Sequence, residues 1–237
     1  MSRLGIRSAT ALGAALVTAA LVPSPMRANG DTSPPSLFSL SALLTVSPEL
    51  PPLAARVLVS EAEQIWRREG VTLKWPSPRG PAATSAPLRI LVIARREVVM
   101  LASKEQWPVA ELVQEEGQRP LAIASIAGAE RVLAEATRNR VLDGRGLAEF
   151  RLGVVLGRAV AHEIGHYLLA TKTHADRGLM RAAINAYEFA DPGAGSTFVL
   201  DEAAGHWLRH RLLASHTAIP PLLSAGFSYA SPSEILR

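Results

Sequence analysis

The chain has 237 residues, of which 48% are hydrophobic and 19% charged, and it contains no cysteine. This composition excludes wholesale disorder, and the absence of cysteine excludes disulfide scaffolds, Cys-ligated metal sites and thiol catalysis. The formal net charge is +4, but residues 1–28 hold three arginines and no acidic side chain. The remainder is nearly neutral and lacks the basic footprint of a nucleic-acid-binding protein.

Residues 1–28 have the pattern of a secretory signal peptide. A short basic start is followed by an apolar, alanine-rich stretch over 9–22 and then by a proline-containing break. An uncleaved N-terminal anchor is the alternative. We therefore expect a secreted, periplasmic or cell-envelope protein of a bacterium. No stable membrane insertion is expected after cleavage, because no segment offers about 18–20 uninterrupted apolar residues.

The next part of the chain alternates between predicted loops and regular elements. Residues 29–52 are rich in serine and proline, which predicts a linker or pro-segment. Apolar residues at helical spacing predict a helix over 53–69, and period-two alternation predicts a strand over 71–75. Four prolines predict a surface loop over 76–87, and the apolar run 88–94 predicts a buried strand.

The second half is dominated by two predicted helices. Residues 122–127 are predicted to form a strand. Residues 130–142 are ambiguous, because alanine and glutamate favour a helix while their place in the chain suits an edge strand, which we prefer over 131–135. A long helix over 148–170 is apolar almost all round, which is typical of a central, buried helix. A further helix is predicted over 196–213.

Together these elements predict a single α+β domain over residues 53–215, followed by a tail over 216–237. We expect a small, mixed, twisted sheet with a backing helix, a central active-site helix and a C-terminal helix. The protein is expected to be a monomer.

The chemistry-bearing motif is His162-Glu-Ile-Gly-His166, an H-E-x-x-H sequence within the central helix. Residues four apart lie one above the other on a helix, so both imidazoles can face one metal ion. Glu163 then projects beside the metal and can accept a proton from its bound water. Neutral imidazoles suit Zn²⁺, and three protein ligands plus a water define a catalytic site.

The third ligand has to come from outside the motif. A continuous helix would place His174 about 12 Å along its axis from His166, so the chain must fold back within residues 170–173 if His174 shares the metal. Glu188 and Asp176 are the alternatives, and the residue types leave the choice open.

The run from His162 to Met180 resembles the metzincin clan of zinc metallopeptidases, particularly its matrixin-like members. The shared features are H-E-x-G-H-x-L, a later histidine and a small turn that ends in methionine. The resemblance implies a zincin-like fold, Zn²⁺ held by His162, His166 and His174, Glu163 as the general base and Met180 beneath the metal. The clan's glycine falls at Leu169 here, and two extra residues precede the third histidine.

The resemblance implies a zinc metalloendopeptidase that hydrolyses a peptide or protein substrate through a zinc-bound water activated by Glu163. By analogy with the clan, an edge strand within residues 122–135 would pair with an extended substrate. A non-catalytic zinc-binding envelope protein and an interaction module of the same fold remain open.

Two other features of the helices carry expectations. His206 and His210 form a second i, i+4 pair, which we interpret as a solvated or half-buried helix face, with an adventitious metal site as the alternative. Gly165 lies within the central helix, and close approach of another backbone would explain it.

Overall fold

A five-stranded mixed sheet forms one layer of the protein in the computed structural model, which describes residues 38–93, 109–138 and 145–217. Its strands are β1 (Phe38–Val46), β2 (Val71–Lys74), β3 (Leu88–Ile93), β4 (Ala110–Val113) and β5 (Leu121–Ser125). Their order is β2-β1-β3-β5-β4, with all neighbours parallel except β4, which runs antiparallel to β5.

The helices are α1 (Pro52–Arg68), α2 (Ala82–Ser85), α3 (Ile126–Ala136), α4 (Arg145–Leu169), α5 (Ala186–Ala190), a 3₁₀-helix (Pro192–Thr197) and α6 (Glu202–Thr217). This mixture of helices with a mixed sheet agrees with the predicted α+β class. Among the described residues, no helix has the length and apolar character needed to cross a membrane. The predicted signal peptide and the tail beyond residue 217 lie outside the described residues.

The backing helix, the central helix and three strands are confirmed. The helix predicted over 53–69 is α1, and Gly70 follows it with a φ of 76°, as a glycine just beyond a helix does. The helix predicted over 148–170 is α4. β2, β3 and β5 fall within a residue or two of their predicted bounds.

The linker prediction is wrong for residues 38–46, which form β1. This strand pairs with β2 on one side and β3 on the other, so it is internal to the sheet. Leu40 and Ala42 are buried while Ser39 is exposed, which is the alternation of a strand. Serine content suggested a linker, but the neighbouring prolines flank β1 without interrupting it.

The edge-strand prediction for residues 131–135 is also wrong, because they belong to α3. Ser125 caps this helix by accepting a hydrogen bond on Oγ from the Gly128 N–H (3.0 Å). The antiparallel strand at the end of the sheet order is β4. The C-terminal helix likewise begins at Glu202 rather than at residue 196, since residues 196–197 end the 3₁₀-helix and residues 198–201 form no regular element.

α4 is held close to α1 by two glycines on its surface. A Cβ added at Gly153 would lie 2.6 Å from the carbonyl oxygen of Ala54, and one added at Gly157 would lie 2.7 Å from Cβ of Glu61. Side chains at either position would push the helices apart. α4 also contacts α3, α5, β4 and β5, which makes it the central element of the described fold.

Arg158 joins α4 to the segment over residues 188–191, which follows His174 in the chain. Its side chain is fully buried, and its Nε donates a hydrogen bond to Oε1 of Glu61 at 2.8 Å. The guanidinium lies over the ring of Phe198, 4.2 Å from its centroid. Its Nη1 donates to the backbone carbonyls of Glu188, Phe189 and Asp191.

Replacing Arg158 with methionine is expected to lower the free energy of unfolding by about 3–5 kcal/mol, because Glu61 and three carbonyls lose their partner. Urea unfolding measures the change. Arg67→Met is the matched control, since Arg67 is exposed and lies 3.9 Å from Glu63, and it should cost below about 1 kcal/mol. Equal losses in the two variants would contradict the role given to Arg158.

Candidate metal centre

Three histidine side chains meet at the C-terminal end of α4. His162 and His166 lie one turn apart on the helix, with ring centroids 4.7 Å apart. The ring of His174 lies 5.3 Å from that of His162 and 4.8 Å from that of His166. One ligand atom from each histidine lies within 4.8 Å of the other two, so the group could hold a metal ion.

The chain reverses direction from Ala170 onwards, which brings His174 back to His162 and His166. This residue has a φ of 48°, in the left-handed region. Its N–H donates to the carbonyl of Tyr167, and the N–H of Thr171 donates to that of His166. These two bonds form a Schellman motif, which commonly ends helices with glycine in the left-handed position. The turn therefore forms one residue after Leu169, with alanine where glycine is usual.

Ala170→Gly is expected to raise the free energy of unfolding by about 0.5–1 kcal/mol. The left-handed conformation costs alanine about 1–2 kcal/mol, a cost that glycine avoids. Glycine also has more conformational freedom in the unfolded chain, which offsets about 0.4–1 kcal/mol of that stabilisation. Urea unfolding of the metal-free protein measures it. Ala134→Gly, at an exposed position within α3, should instead lose stability. A loss at both positions would show that Ala170 is unstrained.

Backbone carbonyl groups determine which ring nitrogen carries the proton in two of the imidazoles. Nδ1 of His162 lies 2.8 Å from the carbonyl oxygen of Leu179, and Nδ1 of His166 lies 2.8 Å from that of Thr171. A carbonyl only accepts, so each Nδ1 carries the proton and each Nε2 offers its lone pair to a metal.

The same two rings are neutral at neutral pH. Burial lowers the pKa of His162 to about 4, and burial also lowers the pKa of His166. Neutral imidazoles are the form that binds metal, so the donor set suits a transition metal such as zinc. A metal ion held by these three side chains would keep a fourth position available to water or substrate.

Glu163 lies beside this group, and its side chain is buried. Burial raises its pKa to about 7, while a hydrogen bond from the backbone N–H of Leu112 lowers it and the nearby Glu111 carboxylate raises it. A carboxyl group with such a pKa can take up and release a proton near neutrality. Its position in the same cleft as the histidines gives it access to a group bound there.

Met180 packs against the central helix at Gly165. It is buried, and a Cβ added at Gly165 would overlap its Sδ atom. The indole of Trp66 lies 3.6 Å from the same point. The close neighbours of Gly165 are thus side chains, and the expectation of a second backbone there is wrong.

The alternative ligands lie elsewhere. Both carboxylate oxygens of Glu188 accept hydrogen bonds from Arg181. Neither Glu188 nor Asp176 belongs to the histidine group that, among the described residues, could hold a metal ion. His206 and His210 are exposed on α6 and are also outside that group.

The three histidines line a cleft with a volume of about 590 Å³. Residues 109–112 line it on the β4 side, and residues 181–184 line it after the Met180 turn. Val132 and Phe189 add apolar surface. The sequence did not point to these walls, because β4 is only four residues long and residues 181–184 form no regular element.

Comparison of the chain with protein-family models, with curated proteins and with solved structures finds no significant match. The geometry of the histidine cluster and its cleft therefore carries the functional argument.

Proposed function

We propose that the protein is an exported zinc metallopeptidase with a zincin-like fold, which hydrolyses peptide bonds in its cleft. One observation carries the proposal. Three histidines converge to within 4.8 Å of one another, and the carboxyl group of Glu163 lies in the same open cleft. A purely structural metal site has no need of that buried carboxyl group or of an open cleft.

His162, His166 and His174 would hold the zinc. Bound zinc would polarise a carbonyl oxygen and lower the pKa of a coordinated water. Glu163 would take a proton from the attacking water and deliver it to the leaving amine, because it lines the same cleft as the three histidines. The carbonyls of Leu179 and Thr171 would keep two imidazoles oriented.

An extended peptide would bind in the cleft as substrate. β4 pairs with β5 along one side and lies last in the sheet order, and its residues line the cleft. A strand in this position can pair with an extended chain through backbone hydrogen bonds. β4 would therefore pair with the substrate, a role that the sequence suggested for an edge strand within residues 122–135.

Digestion of a mixed pool of synthetic peptides by the zinc-loaded protein tests the proposal, with products identified by mass spectrometry. We expect cleavage at internal bonds, its loss after treatment with 1,10-phenanthroline and its return when zinc is restored. Protein that retains one zinc per chain and cleaves no peptide would instead support a non-catalytic zinc-binding protein.

A further inference from the structure

The metal ligands differ in how they are held. His162 and His166 are fixed by α4 and by carbonyl hydrogen bonds on Nδ1. His174 is exposed, lies beyond the helix and has no such hydrogen bond within the described part of the chain. Its position therefore depends on the chain on both sides: the N–H of Thr173 donates to Oγ1 of Thr171 before it, and a further segment follows it.

That segment closes into a turn directly after His174. The N–H of Ala175 donates to the carbonyl of Met180 at 2.8 Å, and Ala175 forms a β-bridge with Arg181. Nε of Arg181 donates to the carbonyl of Gly178 at 3.0 Å, across the same turn. The Arg181 side chain thus braces the inside of the turn, and the backbone beside it pairs with Ala175, the residue next to His174.

Arg181 is itself anchored by Glu188 on α5. Its Nη2 donates to Oε1 at 2.7 Å and its Nη1 donates to Oε2 at 3.2 Å, which is a bidentate pair. Oγ1 of Thr197 also donates to Glu188 at 2.8 Å, and Arg181 contributes most to lowering the pKa of this carboxyl group. The backbone carbonyl of Glu188 accepts a hydrogen bond from Arg158 of α4. The Arg181–Glu188 pair is therefore attached to the helix that carries His162 and His166.

We propose that the Arg181–Glu188 pair positions His174 and thereby sets how long the protein retains its metal. Both are positioning residues, since they act on His174 through the turn and do not bind the metal. The inference rests on the proposed zinc site but not on peptide hydrolysis.

The test is the rate at which zinc leaves the full-length protein when excess EDTA is added. Glu188→Gln keeps the shape of the side chain and removes its charge, and we expect zinc release about tenfold faster, as for other residues that orient metal ligands. Glu63→Gln is the matched control, because Glu63 pairs with Arg67 on α1 at 3.9 Å, away from the turn. Its release rate should equal that of the wild type.

A charge exchange makes the test specific to the pair. Arg181→Glu alone should accelerate release, and the double variant Arg181→Glu/Glu188→Arg should bring the rate back towards that of the wild type. Unfolding of the metal-free variants is measured in parallel. A loss of stability with an unchanged release rate would show a merely structural role and overturn the inference.

The outcome is independent of the peptidase assay. Wild-type protein that holds zinc and Glu188→Gln protein that releases it at the same rate would overturn this inference alone. Faster release from Glu188→Gln in a protein that cleaves no peptide would support it while contradicting the proposed hydrolysis.

Discussion

Replacing Glu163 with glutamine is expected to lower kcat for peptide hydrolysis by about 10²–10⁴-fold while zinc content stays at one per chain. Glutamine keeps the size of the side chain but neither accepts nor returns a proton. The three histidines are unchanged, so metal binding should persist. Initial rates on a cleaved peptide and elemental analysis of the same preparation measure the two quantities.

Glu111→Gln is the matched control, since this exposed carboxylate lines the same cleft from β4. The charge of Glu111 raises the pKa of Glu163. Since we assign Glu111 no other effect on Glu163, we expect its replacement to change kcat by a few-fold at most. Glu163→Gln protein that keeps a tenth or more of the wild-type kcat would contradict the assignment of Glu163 as the base.

Replacing His174 with alanine is expected to weaken zinc binding by about 10²–10³-fold. Four-ligand zinc sites bind with about 10–16 kcal/mol, so one ligand accounts for about 2.5–4 kcal/mol. Competition with a chromophoric chelator measures the affinity. Because two histidines on a helix remain, weak binding should survive.

Two substitutions accompany that measurement. His206→Ala removes an exposed histidine of α6, and Asp176→Asn removes one of the alternative ligands considered from the sequence. Both should leave the zinc affinity unchanged. An affinity that falls in Asp176→Asn but not in His174→Ala would contradict the histidine cluster as the binding site.

The elements predicted correctly are those whose signal is local. α1 carries its apolar residues at helical spacing and ends before Gly70, and β2 alternates buried and exposed residues over 71–74. The H-E-x-x-H spacing placed two imidazoles and a carboxyl group on one helix. Periodicity and spacing within a dozen residues were sufficient for each of these predictions.

The elements predicted wrongly depend on partners distant in the chain. β1 is a strand because β2 and β3 flank it, although its serines resemble those of a linker. In α3 the cap at Ser125 and the burial of Ile126, Ala129 and Leu133 favour a helix, where position after a strand suggested an edge. The amino-acid composition of these segments alone does not indicate their contacts with distant parts of the chain.

The candidate metal centre also combines features that the sequence predicted with features that it did not. That the chain must turn within residues 170–173 followed from helix geometry, but its form did not, because no glycine marks the left-handed residue. The pairing of Glu188 with Arg181 could not be deduced either, since a glutamate on a downstream helix is also a plausible ligand. Only the folded chain shows which role it takes.

X-ray absorption at the zinc edge of the loaded protein tests the central claim most directly. The proposed site predicts three imidazole nitrogens and one water oxygen at about 2.0–2.2 Å, with no further protein ligand. A first shell with only two imidazole nitrogens, or one completed by a carboxylate, would contradict the three-histidine centre with an open position.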